Sequence, residues 1–190
     1  MPSAEERAVE SYNNGIEHKD KGRKLEEQAA ATQGAEAANL AGKARGEYEK
    51  ALKDFKNAAQ SNPKLFQAYN GMGFSLRKTG EFARALEMYD RAIAMAPAFY
   101  AEAVEYRAEA YLGLNRMDDA RQAYLELFGA DRAQADMLMA TMKKWAESRR
   151  ADPGGVDPAA REAFEKWLGE RDGLAKQTRL MAVGNAYAGW

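Results

Sequence analysis

The chain has no cysteine, a single histidine, His18, and only five prolines in 190 residues. Without cysteine there is no disulfide, no thiol nucleophile and no thiolate metal site, a state that suits cytoplasm and bacterial periplasm equally. One histidine, in the polar stretch EHKD, has no second histidine to share a metal, and is expected to be a solvated surface residue. Nor does charge of one sign dominate. Lys and Arg number 28 against 29 Asp and Glu, so no general attraction to nucleic acid or anionic lipid follows. No apolar run is long enough to span a membrane, and Met1 opens no signal peptide. The expectation is a soluble chain, cytoplasmic, or periplasmic if a leader has been removed. Glycine-rich GMG (Gly71 to Gly73) does not follow a strand and is read as packing, not as a phosphate loop. Glu and Asp are abundant, but no pair stands out for acid–base work. No cofactor or metal and no enzymatic activity are expected.

What is present is a repeat. Shifted by 34, Gly46, Tyr48, Ala51, Phe55, Ala58 and Pro63 fall on Gly80, Phe82, Ala85, Tyr89, Ala92 and Pro97. Shifted by 35, Tyr69, Gly73, Leu76, Ala85 and Tyr89 fall on Val104, Ala108, Tyr111, Ala120 and Tyr124. That period marks stacked helical hairpins. Gly73 and Ala85 are small where two helices cross closely, with Tyr69, Leu76, Phe82 and Tyr89 filling the space around them. Gly80 suits the left-handed end of the first helix, and Pro97 stops the second.

The boundaries follow from this register. A second hairpin covers 66–99 and a third 101–130. The first spans 4–63, where SYNNGI (Ser11 to Ile16) echoes AYNGMG (Ala68 to Gly73). It carries an insertion over 21–43, rich in helix formers and broken at Thr32-Gln33-Gly34, which predicts a hairpin with both helices lengthened. Over 133–178 a degenerate capping pair is expected. Its stripe is Met137, Leu138, Thr141, Met142 and Trp145, followed by ADPGGVDP with Asp157 as N-cap, then a helix to about Thr178 carrying Phe164, Trp167 and Leu168. The tail 179–190 matches nothing. Its Leu180, Met181, Val183, Tyr187 and Trp190 are apolar enough to suggest contact with the stack or with a second copy.

The repeat closely resembles the tetratricopeptide repeat (TPR) family, best over 66–99, well over 101–130, and well for the second helix of the first repeat, 45–63. Arg107 departs from the pattern by replacing a leucine. The resemblance implies an all-α, right-handed superhelix of antiparallel hairpins that binds a protein segment in its concave groove. Carried over position by position, the groove consists of Asn13, Asn14 and Glu17 from the first repeat, Gln67, Asn70, Gly71, Phe74, Arg77 and Lys78 from the second, and Glu102, Glu105, Tyr106 and Glu109 from the third. Gly71, Glu102 and Tyr106 stand where one subclass has the asparagine and basic residues that clamp a C-terminal carboxylate, so that clamp is missing. Glu102, Glu105 and Glu109 share a helix face, and Phe74 and Tyr106 would serve as aromatic anchors. A ligand of basic and aromatic character is therefore expected. The alternative is an assembly protein that self-associates through the long hairpin or the tail.

Overall fold

The computed structural model describes the backbone of residues 1–187 and the side chains of residues 1–179, so the apolar tail beyond Arg179 lies outside the described side chains. The described residues are all-α: α1 (Ala4–Ala30), α2 (Gly34–Ser61), α3 (Phe66–Lys78), α4 (Phe82–Met95), α5 (Ala101–Gly113), α6 (Met117–Ala130), α7 (Arg132–Ala151) and α8 (Pro158–Tyr187), with no strand among them. The last helix runs well past Thr178, where the sequence pattern had placed its end. Successive helices pack together, α3 also meets α1 and α5, and α5 also meets α7.

Local signals set the helix ends. Ser3 and Glu6 form a reciprocal capping box at the start of α1. Asp131 accepts from the Gln134 amide to cap α7, and Asp157 accepts from the Ala160 amide at α8. After α3, Gly80 takes a φ of 87°, which only glycine adopts without strain. Gly46, its match at a shift of 34, lies inside α2 instead, because that helix continues through it.

α1 and α2 have 27 and 28 residues, about twice the length of α3 and α4. Their sparse apolar content does not prevent close packing, because small residues recur every seven positions. On α1 these are Ala8, Gly15, Gly22 and Ala29. On α2 they are Ala37, Ala44, Ala51 and Ala58, the last three fully buried. A strict heptad favours a left-handed supercoil. A Cβ at Gly15 would lie 2.7 Å from the Phe55 ring, and one at Gly22 would lie 2.5 Å from Tyr48. Two rings thus fill the space that two glycines vacate.

His18 is not a free surface residue. Its Nδ1 meets Glu47 Oε2 at 2.6 Å, and Lys50 and Lys21 approach the other Glu47 oxygen at 2.8 and 3.4 Å. The Lys50 bond outweighs burial and, with His18 and Lys21, lowers the Glu47 carboxyl from 4.5 to about 2. A lowered carboxyl stabilises the fold above its unfolded pKa, and that stability drains away as pH falls from 4.5 towards 2. Acid titration of urea unfolding should therefore find Glu47→Gln less stable than wild type at pH 7, by on the order of 1 kcal/mol given the exposed lysines, with the two converging near pH 2. Parallel curves would refute the linkage.

Among the described residues, four buried clusters join neighbouring helices. Phe55, Tyr89 and Tyr124, each spaced by 34 or 35 residues, are essentially inaccessible. Tyr124, Leu138, Met142, Phe164 and Leu168 join the last two hairpins, with Trp145 and Trp167 packed against them. Met137 departs from the expected α7 stripe. It is 54% exposed, while Leu138 and Met142 carry the core. Arg107, in place of a leucine, bridges α4 and α6 through Asp90 at 2.8 Å and Glu126 at 3.9 Å.

Candidate binding cleft

One helix from every hairpin contributes to a single cleft of about 320 Å³. It is lined by Arg23 of α1, by Phe74, Arg77 and Lys78 of α3, by Glu105, Tyr106 and Glu109 of α5, and by Met137, Ala140 and Thr141 of α7. Six residues that the sequence assigned to the groove converge here: Phe74, Arg77, Lys78, Glu105, Tyr106 and Glu109.

Their roles differ from the expectation. Phe74 is buried, with its ring edge-on to Tyr48 and Tyr106 at 5.8 and 5.2 Å, so it forms a wall and not a protruding anchor. Tyr106 is half-buried beside it. Arg77 is only 8% exposed. Its Nε donates to the Tyr89 hydroxyl at 3.3 Å, its Nη1 donates to Glu109, and its guanidinium lies over Phe74 and Tyr106. Burial opposes its charge, and Tyr89 and Glu109 overcome that opposition. Lys78 reaches across to Glu26 of α1 at 2.6 Å.

The three glutamates on one face of α5 are not a free acidic ladder. Glu102 accepts from the Asn70 side-chain amide at 2.9 Å and from the Tyr106 hydroxyl at 3.3 Å. Glu109 is paired with Arg77. Glu105 is 1% exposed, and its Oε2 has no hydrogen-bond partner. Burial pushes its carboxyl up to about 8, Glu109 adds to the rise, and Arg77 opposes it. The stripe reads acidic in sequence because its charge and amide partners, Arg77 and Asn70, sit on another helix.

The remaining assigned residues lie elsewhere. Asn70 is buried and also donates to the Tyr100 hydroxyl at 3.0 Å, whereas Gln67 is half-buried at the start of α3 and does not line the cleft. Gly71 is covered by the Phe55 ring. Asn13 and Asn14 are exposed and border a shallow depression with Ser3, Val9 and Glu10, and Glu17 is exposed as well.

A register error explains the α1 misplacement. Phe55 and Tyr89 are equivalent by the shift of 34, and each ring fills a glycine gap, at Gly15 and Gly73 respectively. Aligning Gly15 with Gly73 moves the tyrosine-based echo by one residue. Asn70 then matches Tyr12, Phe74 matches Ile16, and Arg77 matches Lys19. Lys19 does reach the site, with its Nζ 5.3 Å from the Phe74 ring, and Arg23 follows one turn later. Seven-residue spacing of small residues was the signal that would have fixed this register.

No protein-family model matches the chain, and no curated protein is found to be similar to it. Among the described residues, no helix is long and apolar enough to cross a membrane.

Proposed function

We propose that this protein is a TPR-like scaffold, its hairpins stacked in a superhelix, that holds a segment of another protein in the cleft between α1, α3, α5 and α7. The observation that carries this reading is that every hairpin presents its first helix to the same cleft. Such a surface reads a partner through several separated elements at once. The volume is in the range of sites that take a few side chains. Aromatic walls beside fixed charges supply area and orientation together. The reading is of a binding protein and not an enzyme, resting on the charged and aromatic groups that line one cleft built by four helices.

The test uses Ala140, an exposed residue on the α7 wall. Ala140→Trp should fill the cleft without entering the core, leaving the circular dichroism and thermal midpoint unchanged. Polypeptides captured by wild type from the source extract should be lost with Ala140→Trp. Retention by this variant, with loss only when residues 23–42 are replaced by a short turn, would move recognition to the long hairpin and favour the assembly role.

A further inference from the structure

Resting on that cleft reading, we infer that the bound segment is acidic: its carboxylates meet Lys19 and Arg23 of α1, and one of its backbone N–H groups donates to Glu105 Oε2 on the cleft floor. Two geometric features lead there, and the charges around Glu105 give the inference a pH dependence.

The first is an imbalance of pairing. On α1, His18, Lys21 and Glu26 have ion-pair partners, whereas Lys19 and Arg23 make no ion pair among the described residues. Both lie at the cleft, one over Phe74 and the other in its lining. The opposing negative charges are already engaged, Glu109 by Arg77 and Glu26 by Lys78. A basic segment would meet Lys19, Arg23 and Lys78 together. An acidic one meets two cations with nothing to displace.

The second is the unpartnered oxygen. Glu105 is buried at the cleft lining, and its Oε2 has no hydrogen-bond partner. A buried acceptor left open is costly, and a ligand donor relieves that cost. A neutral carboxyl offers Oε2 as an uncharged acceptor, compatible with an N–H flanked by carboxylate side chains.

The neighbouring charges set the pH dependence. Glu105 faces Glu102, Tyr106 and Glu109 on its own helix and Arg77 of α3, whose other partner is Tyr89 of α4. The same cleft also holds Arg23 of α1, Lys78 of α3 and the uncharged Met137, Ala140 and Thr141 of α7. One guanidinium serves two carboxyls, so the floor holds a proton near neutrality. If only the protonated form accepts an acidic segment, affinity falls as pH rises through about 8, by about tenfold between pH 7 and 9. A basic segment would instead release that proton and bind more tightly at high pH.

Fluorescence anisotropy with three pools of short labelled peptides, Asp/Glu-rich, Lys/Arg-rich and uncharged, tests this on the full chain at pH 7 and 9. Four outcomes together are expected. The acidic pool binds best. The Lys19→Glu/Arg23→Glu variant weakens it roughly tenfold or more, whereas Lys53→Glu/Lys56→Glu, an equal charge change on exposed α2 positions, has a much smaller effect. Wild type loses affinity at pH 9. Glu105→Gln, which keeps the shape and the neutral acceptor, does not. Tighter binding of the basic pool, blocked by Ala140→Trp, would overturn the acidic assignment while leaving the cleft as the binding site. Binding of every pool that is indifferent to Ala140→Trp, or no binding at all, would overturn both.

Discussion

Phe55→Ala is expected to destabilise the protein by about 4 kcal/mol, the cost of removing a fully buried aromatic ring whose surroundings cannot collapse. The ring is inaccessible to solvent and sits against a glycine from each of two helices, Gly15 of α1 and Gly71 of α3. A Cβ at Gly15 or at Gly71 would lie 2.7 Å from it, and Tyr12 packs at 5.6 Å between ring centroids. It therefore fastens the long hairpin to α3, and its loss opens a cavity lined largely by backbone. In a domain of this size the thermal midpoint should fall by roughly 8–16 °C. The accompanying test is a change of sign. Gly15→Ala should destabilise wild type, because the methyl drives into the ring, yet stabilise Phe55→Ala, where the methyl fills the void and the helix gains about 1 kcal/mol of propensity. Additive effects in urea unfolding would show that the ring does not fill the glycine gap.

Arg77→Met should cost about 3–4 kcal/mol at pH 7, in the range for breaking a buried ion pair from one side. Methionine preserves apolar contact with Phe74 and Tyr106 but leaves Glu109 and the Tyr89 hydroxyl without their donor. The pH dependence separates this effect from simple loss of packing. The native Glu105 carboxyl is raised from 4.5 to about 8, so between those values the folded chain holds a proton that the unfolded chain releases. Stability thus declines as pH rises from about 4.5 to 8 and levels off above. Removing the guanidinium raises this carboxyl further and carries the decline beyond pH 8. Glu105→Gln flattens it, and by pH 8 that variant should be the more stable form. Urea midpoints at pH 5, 7 and 9 measure all three. An Arg77→Met protein as stable as wild type at pH 9 would show that the guanidinium does not hold these carboxylates.

Much of the molecule is legible in its sequence. The all-α class followed from helix-forming composition and spacing, and the 34- and 35-residue shifts pick out Phe55, Tyr89 and Tyr124, along with Ala51, Ala85 and Ala120, all buried. Gly80 and Asp157 announced a helix end and a helix start through chemistry confined to a few neighbouring residues. Reading failed where the same residue type has more than one use. Tyr12 matched Tyr69 by identity, although the glycines facing the Phe55 and Tyr89 rings set the true register. Met137 fitted the apolar stripe of α7 but lines the cleft instead, because the stripe is narrower than its hydrophobic content.

The sequence by itself determined the helices, their approximate ends and the aromatic that each of the first three hairpins buries. These depend on backbone propensity and on periodic burial, both of which act over one or two turns. Only the tertiary structure decided the character of the cleft. Arg77 and Glu109 are 32 residues apart, and Lys78 and Glu26 are 52 apart. Whether a glutamate is an open ligand site, one half of an ion pair or a buried acid depends on the charge and solvent that packing brings within a few ångströms, and a stripe of three glutamates has the same spacing in each case.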